Sequence, residues 1–251
     1  MRERYTRQIT ILPSQIDAFG KLSVPETFDL FMDVATEAAE EIGVGMGFLQ
    51  KKGMFWITVK TRVRFLKRPG ILDTVELATW PERPVGKRCN RYYEISSGGE
   101  PLVQGKTEWA IVSVLTRRTQ NLEKLMPVEL AYPDGPICEE PFPMIDEAFE
   151  GASFAEHIVK AVDIDLARHM NNVAYVRAIV NAFSIKEWKK LDVQQMDVIF
   201  RASAHEGDVL RFRKRRQGNV MDICGSLPDG TTSVLARLTL GCRANASFRL
   251  K

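Results

Sequence analysis

Apolar residues recur at helical spacing near the start of the chain and again past its middle, and shorter alternating runs fill the ground between. Phe28, Phe31, Met32, Ala35, Ala38, Ala39 and Ile42 fall on one helical face, while Asp29, Asp33, Glu37, Glu40 and Glu41 point away. Ser23 with Glu26 three residues on makes a capping box, and Pro25 sits in the first turn, where it forgoes no hydrogen bond. Gly43-Val44-Gly45 ends this helix. A strand is predicted before it over 6–12, and β-branched and aromatic runs predict strands after it over 55–65, 73–80, 87–96 and 102–115. The segment 126–143, with its five prolines, reads as an extended linker. Beyond it the plan returns. Strands are predicted over 156–162, 193–202, 209–217, 220–227 and 232–242, with a mostly buried helix over 173–188 capped by Asn171 or Asn172.

The two halves also share residues. Ile16-Asp17-Ala18-Phe19-Gly20-Lys21-Leu22-Ser23 aligns with Ile164-Asp165-Leu166-Ala167-Arg168-His169-Met170-Asn171. Val63-Arg64-Phe65 followed by Asp73 matches Val198-Ile199-Phe200 followed by Asp208, with the same Phe-to-Asp spacing. Each half is therefore expected to be an α+β unit in which an antiparallel sheet curls around one long helix. The expected boundaries are 1–126, a Pro-rich linker over 127–152, and 153–251.

At 251 residues, 45% hydrophobic and 27% charged, the chain has the composition of a globular protein with room for two small units. No apolar run reaches the roughly 18 residues a membrane helix needs, and the start lacks the apolar core of a signal peptide, so the cytoplasm is the expected compartment. The four cysteines form no CxxC or Cys/His pair, which argues against zinc and for idle thiols. A net charge of +3 is too small to point to nucleic acid. There is no phosphate-binding glycine loop and no metal-ligand spacing, so neither a nucleotide nor a metal cofactor is expected.

Candidate chemistry concentrates in 162–175, which holds Asp163, Asp165, His169, Asn171 and Asn172 just before the second helix. An Asp-rich turn that merely ends in a helix cap fits this stretch; so does a site built at a helix start, where free N–H groups and the helix dipole stabilise a developing oxyanion. The second copy of the pattern favours the site. His169 can take a proton from water near neutral pH, with Asp165 orienting it or binding the water itself. Asn171 would tie the loop down, and the N–H groups near Asn172 and Val173 are candidate oxyanion donors.

Asp165-Leu166-Ala167-Arg168-His169-Met170-Asn171-Asn172 resembles the Asp-x-Asn-x-His-(Val/Met)-Asn-Asn signature of plant and bacterial acyl-ACP thioesterases. Gly53-Met54-Phe55-Trp56, Thr79-Trp80-Pro81, and Trp109 followed by Thr116-Arg117-Arg118 resemble them as well, so the likeness spans nearly the whole chain. It implies two fused hotdog folds, with the acyl chain held in one half, and hydrolysis of fatty acyl thioesters carried by acyl carrier protein, without any cofactor. It implies Asp165 and His169 as the family's Asp and His. Elsewhere the chain departs: Ala167 stands where the family has Asn, and Ser203 and Ala204 stand where it has Glu and Cys. A slip in strand register would let Glu206 or His205 replace the missing Glu; Ser203 can hold a water but is a weak base.

In the first half Lys21 stands where the second has His169, and Phe19 where it has Ala167, so that half is expected to be non-catalytic and to form the acyl pocket. Phe28, Phe31, Met32, Met54 and Trp56 are the candidate lining, although each also suits plain core packing. Basic clusters at Lys67-Arg68, Lys87-Arg88, Arg117-Arg118, around Lys189 and at 211–216 are candidates for docking an acidic carrier protein, with Arg211, Arg213 and Arg215 on one strand face the foremost. Further readings stand beside hydrolysis of acyl-ACP: an acyl-CoA thioesterase, an acyl-ACP or acyl-CoA binding protein with degraded catalysis, favoured by Ala167, Ser203 and Ala204, and a hotdog dehydratase or hydratase. Fused halves satisfy the pairing that single hotdogs achieve as dimers, so a monomer or a homodimer is expected.

Overall fold

Strands of alternating polarity bury one face only when something apolar lies against it, and here each half supplies its own helix for that purpose. The computed structural model describes residues 4–127, 129–132 and 135–241. The first half runs β1 (Tyr5–Thr10), α1 (Val24–Glu41), α2 (Met46–Lys51), β2 (Met54–Phe65), β3 (Thr74–Pro81), β4 (Cys89–Ser97) and β5 (Glu100–Ser113). The second runs β6 (Ser153–Ile158), α3 (Asn172–Asn181), α4 (Ile185–Leu191), β7 (Val193–Phe200), β8 (Val209–Gln217), β9 (Val220–Ser226) and β10 (Thr232–Leu240). All ten strands form one antiparallel sheet in the order β1-β3-β4-β5-β2-β7-β10-β9-β8-β6. Read inward from either edge, each half gives its first, third, fourth, fifth and second strand. This is the double hotdog plan.

α1 and α3 lie on the same side of the sheet in one apolar core with Val63, Leu77, Tyr93, Ile95, Val198, Phe212 and Ile223. They also touch each other, where Arg177 of α3 bonds Glu26 at 3.3 Å and Asp29, both on α1. Asp29, expected to face solvent, is thus half-buried at the contact. Side-chain size changes along α1. Its first half presents Phe28, Leu30 and Phe31, which fill the space above the sheet, and its second half presents Ala35, Ala38 and Ala39, which leave room there. Phe31 stacks on Tyr93 with ring centroids 4.6 Å apart, and this is why residue 105 is glycine: a Cβ there would run into the Phe31 ring.

Several expected boundaries move. The helix predicted over 173–188 is two helices, because Ser184 and Glu187 form a reciprocal capping box that starts α4 anew. The strand expected over 156–162 stops at Ile158, since Asp163 accepts from the Lys160 N–H and bends 161–163 into a 3-10 turn. β7 ends at Phe200 instead of 202, and the short α2 had no clear periodic signal. The predicted end of the last strand at 242 lies outside the described residues; β10 ends at Leu240.

The two halves meet at the β2–β7 seam, where Lys60 through Arg64 pair with Ile199 through Gln195. Arg62 and Asp197 face each other there on the side away from the helices, Nε to Oδ1 2.7 Å, with side chains 4% and 2% exposed. Arg62 also donates to the carbonyls of Glu140 (2.8 Å) and Pro141 (3.0 Å). The proline-rich connection is therefore a strap pinned across the back of the sheet. Phe142 lies under Lys60, Arg62 and Lys106, and Ile145 and Phe149 pack on Ile199, Cys224 and Leu235.

Burial raises the Asp197 carboxyl pKa against the attraction of Arg62, so removing Arg62 alone strands a buried acid. In urea denaturation Arg62→Met is expected to lose about 3–5 kcal/mol, and Arg62→Met with Asp197→Leu to recover most of it. An unchanged midpoint for the single variant would show that the pair does not hold the seam.

Candidate active site

The chain builds the same loop twice. In the second half the Asp165 N–H donates to the His169 carbonyl (2.9 Å), while Asp165 Oδ1 accepts the N–H groups of Ala167 (2.8 Å) and His169 (3.3 Å). In the first half the Asp17 N–H donates to the Lys21 carbonyl (2.8 Å), and Asp17 Oδ1 accepts from Phe19 (2.9 Å) and Lys21 (3.2 Å). Each loop turns through a left-handed residue, Gly20 at φ 70° and Arg168 at φ 61°; glycine takes that conformation freely and arginine only under strain. Each then enters a helix through a side-chain cap, Ser23 or Asn171.

The loops differ where chemistry would occur. The Leu22 N–H donates to Pro69 as the Met170 N–H donates to Ala204, which makes Arg68 the counterpart of Ser203. Arg68 bonds the second oxygen of Asp17 and closes that loop electrostatically. Asp165 Oδ2 has no hydrogen-bond partner among the described residues. Loss of an arginine thus leaves one carboxylate oxygen open in the second half alone.

A frame of buried bonds holds this loop. Tyr175 O–H accepts from the Ala204 N–H (2.9 Å) and bonds Ser233 (3.0 Å), and Ser233 donates to the Ala202 carbonyl (2.6 Å). Burial raises the Tyr175 pKa, so the phenol stays neutral in this frame. At the other end Asp163 bonds His157 (2.9 Å), and its carbonyl accepts from the Asn171 N–H (2.7 Å).

Between the alanine half of α1 and the sheet lies a cavity of about 1270 Å³. Its walls in the first half include Ala35, Ala39, Leu49, Met54, Trp56, Arg91, Trp109 and Met126, and the second half contributes Asp165, Ala167, His169, Asn171 and Ser203. Trp56 and Trp109 meet edge to face at 6.1 Å, and Trp109 Nε1 donates to Tyr93 (3.2 Å). On the exposed rim stand Met46, Val114, Arg117 and Leu166.

Asp165, His169, Asn171 and Trp56 are thus brought to one cavity. Phe28 is not: it is 2% exposed in the core, beneath the filled half of α1. Met32 packs against the same core, with Thr58 3.8 Å from its sulfur, and stands off the cavity wall. The Val173 N–H is taken by the Asn171 cap at 2.7 Å, so it has no proton left for an oxyanion; Asn172 is half-buried in the first turn of α3. Glu206 lies off the wall as well. The frame fixes 201–205, and the His205 N–H bonds Asp208 Oδ2 (2.7 Å), which puts Glu206 at the tip of an exposed turn. His205 is the residue beside His169, their rings edge to face at 4.9 Å.

The basic stripe on β8 is also spent locally. Arg211 pairs with Glu156 (3.0 Å), Arg213 donates to the Phe149 carbonyl (2.9 Å), and Arg215 pairs with Asp222 (3.3 Å). Sequence reasoning missed Tyr175, Ser233 and Arg91, whose roles depend on long-range contacts. Among the described residues no cluster of three or more His, Cys, Asp or Glu side chains has metal-binding geometry, and no helix is long and apolar enough to cross a membrane.

Comparison with known proteins gives the same family for both halves. The acyl-ACP thioesterase N-terminal domain matches residues 2–126 and the C-terminal domain matches 146–227. The oleoyl-acyl carrier protein thioesterase 1, chloroplastic, of Arabidopsis thaliana is 21% identical over 90% of this chain and 68% of its own length. The palmitoyl-acyl carrier protein thioesterase, chloroplastic, of Gossypium hirsutum is 22% identical over 82% of this chain and 54% of its own. The chain thus spans between about half and two thirds of these relatives. Among solved structures, an acyl-ACP thioesterase from Bacteroides thetaiotaomicron superposes with a TM-score of 0.87 at 18% identity, covering 95% of this chain and 98% of that one. The 12:0-ACP thioesterase from Umbellularia californica gives 0.79 at 17% identity, covering 96% and 98%.

The frame makes a prediction independent of any activity. Tyr175→Phe leaves the buried Ala204 N–H without an acceptor, with an expected loss of about 1–3 kcal/mol. Hydrogen exchange at Ala204 and Met170 should quicken in the variant while exchange in β4 and β5 does not. Unchanged exchange at both amides would show that Tyr175 does not hold the loop.

Proposed function

The chain belongs to the acyl-ACP thioesterase family, and from that premise we propose that it hydrolyses fatty acyl thioesters presented by acyl carrier protein and releases the free fatty acid. One observation carries the reading: a cavity lined mainly by the first half opens onto the one loop copy whose aspartate keeps an oxygen with no partner among the described residues and which has histidine in place of lysine. The acyl chain lies along α1 and the thioester carbon stops at the loop.

Water held between His169 and Asp165 Oδ2 gives a proton to the imidazole and adds to the thioester carbon. The oxyanion is received at backbone N–H groups of the loop and helix start, Leu166 and Asn172 in place of the occupied Val173. As the C–S bond breaks, the imidazolium returns its proton to the thiolate. Nothing covalent forms with the protein. His205 orients His169 from its edge, and Asn171 holds the helix entry. Ser203, exposed on the wall, hydrogen-bonds the water and is not its base.

Arg117 on the rim, next to Arg118, and Lys51 and Lys52 at the end of α2, where the Gly53 carbonyl accepts from the Val114 N–H, form the basic edge on which an acidic carrier docks; on β8, Arg211 and Arg215 already pair with Glu156 and Asp222. The cytoplasm is the compartment proposed, in keeping with the three buried, unpaired thiols of Cys89, Cys138 and Cys224. The halves are the functional units: 1–126 holds the chain, 153–251 acts on it, and 127–152 straps them together. Ala167 and Ser203, which remove an amide and a carboxylate from the family's pattern, favour a second reading in which the protein binds acyl carrier protein and turns over slowly.

Thiol release from acyl-ACP and acyl-CoA substrates of graded length tests this. His169→Ala is expected to lower kcat about 10²-fold or more, and Ala167→Asn to raise it. Ala39→Phe, which fills the alanine half of α1, should move the preference to shorter chains with kcat on those chains retained. No thiol release by the parent or by Ala167→Asn would reject hydrolysis, and tight acyl-ACP binding without turnover would select the second reading.

A further inference from the structure

The far wall of the cavity carries a charge with no ionic partner among the described residues. Arg91 on β4 is 7% exposed, and it points to the α1 side of the sheet, as do Cys89 and Tyr93 on the same strand. Its hydrogen bond among the described residues is from Nη1 to Thr79 Oγ1, 3.3 Å long, and it forms no ion pair there. Arg62, the other deeply buried arginine of this half, has Asp197 against it. Cys89 and Tyr93 on the same strand cannot neutralise it, since burial pushes both the thiol and the phenol up to about 12 and keeps both neutral; Glu41, which lines a small second cavity with Arg91, is exposed and makes no ion pair with it. Burial also lowers the arginine's own pKa, yet a guanidinium stays charged in proteins.

A fixed cation in an otherwise apolar wall is destabilising unless an anion meets it. Position says where on a ligand that anion would lie. Arg91 pairs with Thr107, Thr107 with Thr61, and Thr61 with Val198. This row crosses three strand spacings, about 14 Å, from β4 to β7. Ser203 and the His169 loop stand further on, past the end of β7. Arg91 therefore faces the part of a bound chain remote from the thioester.

We propose that Arg91 forms a polar subsite at the inner end of the cavity, and that the protein prefers acyl thioesters whose far end is a carboxylate over those ending in a methyl group. The preference rests on the thioesterase reading; the subsite itself does not. The bidentate donors left on the guanidinium match a carboxylate, and the pair would form away from water, where charge-assisted hydrogen bonds are strongest.

Two measurements keep the readings apart. Thiol release is compared for thioesters of equal length ending in methyl, hydroxyl or carboxylate, with the parent and with Arg91→Met. The parent is expected to show kcat/KM about tenfold or more higher for the carboxylate end, and Arg91→Met to abolish or reverse that ratio while its urea midpoint is equal or higher. Independently of any turnover, quenching of Trp56 and Trp109 fluorescence reads binding of the monomethyl ester of a dicarboxylic acid against a fatty acid methyl ester of the same length. The parent should bind the former about tenfold or more tightly. Equal or weaker binding of the carboxylate-bearing ester by the parent would overturn the subsite, whether or not Arg91→Met folds. So would a kcat/KM preference for the hydroxyl end. Carboxylate-selective quenching with no thiol release from any substrate would retain the subsite and reject the hydrolase.

Discussion

The β2–β7 seam is the constraint on which the rest depends. The cavity belongs to one half and the loop that closes on it to the other, so their alignment is only as good as the pairing of Lys60–Arg64 with Ile199–Gln195. A slip of one residue would turn every side chain of a strand to the opposite face. Arg62 and Asp197 penalise that slip, since any other register would leave two buried charges apart. The strap adds to this by offering Arg62 two carbonyls and by covering the back of the same strands. What looks like a linker is therefore part of the device that sets the site.

The two halves share one frame, and a few side chains make them unequal. Both aspartates organise their loops through the same two backbone bonds, so those bonds are architecture and not chemistry. Arg68 spends the remaining oxygen of Asp17, and Ser203 leaves that of Asp165 open. The helices diverge in a matching way. α1 has eighteen residues, alanine-rich in its second half, and keeps a void beneath it; α3 has ten, and Val173, Tyr175, Val176 and Ile179 pack down into the core. The first half keeps space, and the second keeps a carboxylate oxygen with no partner among the described residues; the proposed division into a holding half and an acting half rests on that difference.

Much of this was legible in the sequence. The repeat of Ile-Asp before a cap, together with Phe-to-Asp spacing on a later strand, reported the two-unit plan because both encode backbone geometry that does not depend on distant contacts. That Asp165, His169 and Asn171 share one loop before a helix was legible for the same reason. Pocket residues were harder. Phe28, Met32 and Trp56 are all large and apolar, and which of them borders empty space depends on the alanines opposite, a tertiary fact. Val173 was a reasonable oxyanion donor until the Asn171 side chain claimed its N–H, and Glu206 a reasonable base until the Tyr175–Ser233 frame fixed the turn. Arg211, Arg213 and Arg215 alternate as a docking stripe would, but Glu156 and Asp222 pair with the first and last, and the Phe149 carbonyl accepts from the middle one. Arg91 gave no signal at all, because an arginine in a strand reads as solvent-facing until the sheet places α1 over it.

The central claim is that a chain held in the first half is cleaved by the loop of the second. A crystal structure with an acyl pantetheine in which an amide replaces the thioester tests it most directly. The acyl chain should lie between α1 and the β4–β5 strands, with the amide carbonyl at the 165–172 loop and His169 within hydrogen-bond reach of the water that faces it. Density for the chain beneath α3, or an amide remote from His169, would contradict the account.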